Sequence, residues 1–177
     1  MKLTDTSIVI GVDNGLDGGL CALSAFDGSL IHAIPMPTRQ IGGKREVDPS
    51  AVYVWATGLG DFSSRILFAI EEPLKHAKSS QAMRSMGISF GLLCATAEMI
   101  GYHIRRIQVL DWQGPVLGRV ARGKTKQRAL EVASARWPDE TWLASSRHRT
   151  PHDGMVDAAL LAEFARNTYT TVKAHGS

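Results

Sequence analysis

Ile8-Val9-Ile10-Gly11-Val12-Asp13-Asn14-Gly15-Leu16-Asp17-Gly18-Gly19-Leu20 begins as an apolar, β-branched run and reaches an acid, Asp13, where the chain must turn. β-Branched side chains pack well on a pleated surface, so the run reads as a strand. Gly15, Gly18 and Gly19 then let the backbone take positive φ or approach a neighbour closely. Leu20-Cys21-Ala22-Leu23 follows at once, giving a strand, a tight turn and a returning strand. A carboxylate at the exit of a buried strand is costly to desolvate unless something cationic meets it. Two readings of Asp13 therefore stand: a turn former that accepts from local N–H groups, or one member of a cation site.

The surrounding chain bounds the choice. Its 177 residues, 44% hydrophobic and 21% charged, suit one globular domain with a full core, spanning about 7–168, with a mobile tail expected over 169–177. No apolar run reaches the ~18 residues of a membrane span. Met1-Lys2-Leu3-Thr4-Asp5-Thr6 carries an acid and no apolar centre, so no secretory signal is expected and a cytoplasmic location is. Cys21 and Cys94 lack metal-ligand spacing and read as buried free thiols. A net charge of +3 permits a polyanionic partner without requiring one. Its distribution is more telling, because Arg119, Arg122, Lys124, Lys126 and Arg128 crowd one segment while acids gather elsewhere.

Continuing along the chain, Phe26-Asp27-Gly28-Ser29 predicts a second turn and Leu30 to Met36 a third antiparallel strand. Thr38 to Val47 reads as an exposed polar connector. Asp48-Pro49 is an N-cap followed by a first-turn proline, opening a helix to about Thr57. Ile66-Leu67-Phe68-Ala69-Ile70 is wholly apolar, the mark of a strand covered on both faces, and Pro73 ends its ladder. Met83, Met86, Phe90, Leu93, Ala97 and Ile100 recur at helical spacing, predicting a helix over 80–100 whose Met83/Met86/Phe90 stripe serves core and subunit interface. A strand over 103–110, no more than a short helical turn over 111–117, a helix over 125–137 capped by Thr125, and a helix from Asp153 to about Tyr169 complete the order. An antiparallel front followed by alternating strands and helices predicts an α/β fold with a mixed sheet flanked by helices.

Three acidic places stand out on this frame. Asp13 leaves the first strand, Glu71 leaves the apolar fourth strand, and Asp153 and Asp157 lie one turn apart at the start of the last helix. Asp153 alone is accounted for as an N-cap. Asp157 is not, because it interrupts the apolar series Met155, Val156, Ala158, Ala159, Leu160 and Leu161. Glu71 and Glu72 point to opposite faces, and strand parity alone does not choose between them. Hard oxygen donors without a Cys or His cluster favour Mg²⁺ or Mn²⁺. A pair of such ions roughly 4 Å apart activates water in phosphodiester hydrolysis. His152 reads either as a proton donor beside the acids or as a surface histidine.

Ile-Gly-Val-Asp-Asn-Gly at 10–15, Phe-Ala-Ile-Glu-Glu-Pro at 68–73 and His-Asp-Gly-Met-Val-Asp-Ala-Ala-Leu-Leu-Ala at 152–162 together resemble the RuvC-like Holliday junction resolvases of the RNase H-like superfamily, most of all the compact members from bacteriophages. The resemblance runs from about Ser7 to Arg166. It implies an RNase H-like mixed sheet, three antiparallel strands and then parallel ones, in a crossover junction endodeoxyribonuclease of the bacterial cytoplasm. It makes Asp13 the ligand that bridges two Mg²⁺ or Mn²⁺ ions, with Glu71, Asp153 and Asp157 as the other catalytic carboxylates and Glu72 a neighbour. It also implies a homodimer nicking a four-way DNA junction at two sites, and 5′-phosphate products. Proline usually follows the first aspartate in that family. Asn14 stands there instead, and a looser turn is expected.

Gly123-Lys124-Thr125-Lys126-Gln127-Arg128 sits at a predicted helix start, where N–H groups and lysines suit a phosphate. Lys124, Lys126, Arg128 and Arg122 are the DNA-contact candidates there, while Lys75, His76 and Lys78 border the glutamate strand and Arg39, Lys44 and Arg45 lie within reach of a second DNA arm. None of the four tryptophans is assigned to stacking. A related nuclease acting on RNA–DNA hybrid or RNA would use the same acids. An actin- or sugar-kinase-like phosphate binder also begins with a strand ending in Asp and glycines, but needs two lobes and a second phosphate loop.

Overall fold

The computed structural model describes residues 3–4, 6–60, 65–73 and 79–171. At its centre is a five-stranded sheet built from β2 (Thr6–Asp13), β3 (Gly19–Ser24), β4 (Leu30–Pro35), β7 (Arg65–Glu71) and β8 (His103–Ile107). The spatial order is β4-β3-β2-β7-β8. β2, β3 and β4 pair antiparallel, whereas β7 and β8 join β2 in parallel. This is the mixed sheet read from the sequence.

Strand alternation divides the core in two. Ile8, Ile10, Val12, Phe68 and Ile70 face α1 (Pro49–Thr57) and α2 (Ser80–Ile100). Val9, Leu67 and Ala69 face the other way, toward α3 (Val109–Leu117), α4 (Thr125–Arg136) and α5 (Asp153–Tyr169). Counting on by twos, Asp13 and Glu71 belong to this second face. The parity that left Glu71 and Glu72 undecided is thereby settled in favour of Glu71.

α5 lies directly on β2 and β3 and is buried over most of its circumference. The closeness depends on missing side chains. A Cβ on Gly11 would stand 2.0 Å from the Ala158 carbonyl oxygen, and one on Gly19 would stand 2.7 Å from that of Gly154. Gly18 and Gly154 form an isolated parallel bridge that draws the helix start onto the turn after Asp13. Gly15 differs, because a Cβ there would make only ordinary contacts.

Several local expectations change. Residues 38–47 form a hairpin, β5 (Thr38–Ile41) and β6 (Lys44–Val47), in place of a connector. Gly42 and Gly43 both have positive φ, as a two-residue hairpin turn of this hand requires. The strand expected over 103–110 stops at Ile107, and the short helical turn expected over 111–117 is the nine-residue helix α3. Thr125 is the first helical residue of α4, with Lys124 at the cap and no side-chain capping bond. α5 is capped by His152, whose Nδ1 accepts from the Met155 N–H, so Asp153 is its first residue and not its cap. Beyond Tyr169, β9 (Thr170–Thr171) pairs in parallel with β1 (Leu3–Thr4), tying down the start of the expected tail. Met83 is exposed and the fully buried residues of α2 begin at Ser89; of the stripe, Phe90 packs against the core. Cys21 and Cys94 are buried free thiols. No helix among the described residues is long and apolar enough to cross a membrane.

Candidate active site

Register brings the acids together. Val12 pairs with Ile70, so Asp13 and Glu71 leave adjacent parallel strands side by side. α5, seated on Gly11 and Gly19, carries Asp157 over the same strand ends. The three carboxylates come from three separate elements and are each partly buried. Burial pushes the Asp13 carboxyl above its usual range, opposed by the Gly15 N–H and by the positive field of His152 and Lys126. Burial raises Asp157 to about 7, with the charges of Asp13, Glu71 and Asp153 adding to the effect. Glu71 is also raised to about 7, by burial first and Asp13 to a lesser extent. The three acids are desolvated and repel one another, and Lys126 offsets that repulsion only in part.

Among the described residues each acid has one hydrogen bond or ion pair, or none, to hold it. Asp13 Oδ1 accepts from the Gly15 N–H at 3.1 Å, so the turn-former reading of Asp13 is also true. Glu71 Oε2 accepts from the indole N–H of Trp112 at 2.7 Å, a side chain buried in α3 that no sequence motif connects with it. Asp153, half-exposed, pairs with Lys126 from the start of α4. That pairing raises the Lys126 ammonium pKa, with Asp157 and Asp13 contributing through space. Lys126 therefore belongs to the acidic cluster itself. Among the described residues no three His, Cys, Asp or Glu side chains already converge as ligands of one ion. Glu71 is turned onto Trp112 and Asp153 onto Lys126.

Asn14, expected to loosen the turn, does the reverse. Its side chain is almost fully buried and its Nδ2 donates to the Glu71 carbonyl at 2.6 Å. One amide thus fixes the exit of β2 against the exit of β7, just where both acids emerge.

The remaining candidates are dispersed. Arg128 donates to the Leu117 carbonyl and pairs with Glu131, tying α4 to the end of α3. Arg122 and Lys124 are exposed on the approach to α4. Glu72 donates its N–H to Ile107, extending the β7–β8 ladder. Lys75, His76 and Lys78 lie outside the described residues. Arg147 and Arg149, passed over in the sequence, are exposed on the loop leading into α5. The clue to them was a Ser-Ser-Arg-His-Arg run immediately before the acidic helix. Trp137 and Trp142 pack edge to face in the core, and Trp55 donates to His32 Nδ1 at 3.0 Å.

No protein-family model matches the chain, and no curated protein matches it in sequence. Solved structures do. One is RuvC of T. thermophilus in complex with Holliday junction substrate, 13% identical, with a TM-score of 0.57 over 92% of this chain and 96% of that one. Another is the Thermus thermophilus RuvC structure, 16% identical, with a TM-score of 0.54 over 92% and 97% of the two chains. The chain has a RuvC-like fold. At such identity the likeness speaks for the fold alone. Within that RuvC-like frame the acids occupy the strand ends and the helix start described above.

Trp112 offers a direct probe of Glu71. Only the ionised carboxylate depends strongly on the indole donor, whose bond lowers the Glu71 pKa against burial. Trp112→Phe is expected to lower the thermal midpoint more at pH 8 than at pH 5. Equal losses at the two pH values would assign the effect to packing.

Proposed function

We propose that the protein is a Mg²⁺- or Mn²⁺-dependent endonuclease that cuts four-way or other branched DNA by paired nicks. The observation that carries this reading is the convergence of Asp13, Glu71 and Asp157 on one face of the RuvC-like sheet, all with raised pKa values. Buried like charges destabilise a fold unless a counter-charge is provided. Oxygen donors without thiolates suit a hard divalent cation. Asp13, Glu71 and Asp157, with Asp153, would hold the ions, which requires Glu71 to turn from Trp112 and Asp153 from Lys126. Bound there, two such ions lower the pKa of water and neutralise charge on the phosphodiester under attack.

The chain's own groups do the positioning. The Gly15 N–H and the Asn14 amide fix the exits of β2 and β7, and Trp112 orients Glu71. Lys126, held by Asp153, is placed to meet a phosphate oxygen at the edge of the cluster. Nδ1 of His152 is committed to the helix cap, so any proton donation would fall to its Nε2. Arg122 and Lys124 before α4, and Arg147 and Arg149 before α5, are exposed and would supply positive charge for the phosphate backbone. The junction-bound RuvC neighbour supports branched DNA as the substrate class. Two symmetric nicks need two active sites, which a twofold homodimer would provide. Competition among a four-way junction, a duplex and an RNA–DNA hybrid tests the substrate assignment. Preferred cleavage of the hybrid would overturn it and leave the metal chemistry standing.

Linkage gives a test that needs no substrate. Folding raises Glu71 from 4.5 and Asp157 from 3.8 to about 7, so the native state binds more protons than the unfolded chain in between. Stability then falls as pH rises from about 4 to about 7. The ion-free protein is expected to lose thermal midpoint over that window, and Mn²⁺ at pH 7.5 to restore it. Asp157→Asn should flatten the pH slope and reduce the response to Mn²⁺. A parental slope in that variant would contradict the assignment of Asp157.

A further inference from the structure

A groove of about 800 Å³ runs between the β5–β6 hairpin and the first half of α2, starting at Leu16, three residues beyond Asp13. From the helix it receives Ser80, Arg84 and Ile88, spaced four apart along one face. From the hairpin it receives Ile41, Lys44 and Arg45. We propose that this groove carries one strand of the DNA away from the cleavage site, its cations following the phosphates and its apolar wall lying against the sugars and bases.

Four observations favour that occupant. Leu16, in the turn that follows Asp13, lines the groove, and Arg45 pairs with Asp17 of the same turn, fixing the hairpin beside it. Its lining is cationic: the single acid there among the described residues, Glu46, is bound by Arg39 through two hydrogen bonds of 3.1 and 3.0 Å. Lys44 and Arg84 have no ion-pair partner among the described residues and are exposed, one on each wall. Finally, the helix half that forms one wall lies outside this chain's core, whose contribution from α2 begins at Ser89. Backbone-tracking cations combined with apolar platforms are what a single strand without sequence preference requires.

The inference rests on the nuclease reading, and its experiment separates the two. In an Asp13→Asn background, which prevents cleavage, binding of a labelled four-way junction would be measured against salt with and without Lys44→Ala plus Arg84→Ala. Both side chains are exposed, so the double variant is expected to keep the thermal midpoint of its parent. Its affinity should fall about tenfold or more, and the log–log salt slope should shrink by roughly 1.4–1.8, the share of two phosphate contacts. Lys44→Arg with Arg84→Lys should restore both. An unchanged affinity and slope would overturn the groove while leaving the nuclease assignment intact. A changed sedimentation behaviour with an unchanged slope would assign the groove to a second copy of the chain, which also overturns the proposal. Failure of the protein with Asp13 intact to cleave branched DNA would instead remove the reading on which the groove depends.

Discussion

Asp13→Asn is expected to reduce metal-dependent cleavage of branched DNA by about 10³-fold or more while leaving junction binding close to parental. Asn keeps the size of the side chain and can still accept from the Gly15 N–H, so the turn at the end of β2 survives. What disappears is the negative charge at the point where two strands and α5 meet. The same substitution removes a carboxyl that burial already penalises, so the ion-free variant should be no less stable than its parent at pH 8. Loss of activity with an unchanged or higher thermal midpoint therefore separates a chemical role from a structural one. Cleavage by the variant in Mg²⁺ at the parental rate would remove Asp13 from the reaction.

Gly11→Ala is expected to damage the fold itself. Its new methyl would stand 2.0 Å from the Ala158 carbonyl oxygen and 2.6 Å from the Ala162 nitrogen, and both are backbone atoms of α5. No rotamer change relieves such a contact, so the helix must lift from the sheet. Overpacking of this kind costs on the order of 3 kcal/mol. For a domain of this size that corresponds to roughly 6–12 °C in thermal midpoint. Asp157 moves with the helix, so Mn²⁺ should stabilise the variant less than it stabilises the parent. Gly15→Ala is the matched control, because a Cβ at Gly15 meets only ordinary contacts and no positive φ forbids it. Equal midpoints for the Gly11 and Gly15 variants would contradict the close seating of α5.

The elements with strong periodicity were readable in advance, and physical reasons explain the rest. β2, β7, α1, α2 and α5 each announce themselves through an uninterrupted apolar run, a cap or a 3.6-residue repeat. The β5–β6 hairpin did not, because its strands are polar and largely exposed; its Gly42-Gly43 turn was the one available signal. α3 was hidden by Pro115 and Gly114 inside a helix of nine residues, where packing of Trp112 outweighs local propensity. In the site, the positions of the acids along the chain were legible and their partners were not. Trp112 lies 41 residues from Glu71, Lys126 lies 27 from Asp153, and Asn14 lies 57 from the carbonyl it bonds. Such pairings are products of sheet order and helix docking, which no short stretch of sequence encodes. Asn14 is the sharpest case: beside Asp13 it read as a departure from a family pattern, and in the fold it clamps the two strand ends that bear the acids.

The central claim is that these acids form a nuclease centre acting on branched DNA. A synthetic mobile four-way junction, labelled in turn on each strand and incubated with the protein in Mg²⁺, tests it most directly. Paired nicks at symmetric positions on two opposing strands are expected, leaving 5′-phosphate and 3′-hydroxyl ends, with no cutting when the metal is chelated. Cleavage that persists in chelator, or an intact junction across a full Mg²⁺ and Mn²⁺ titration, would contradict it.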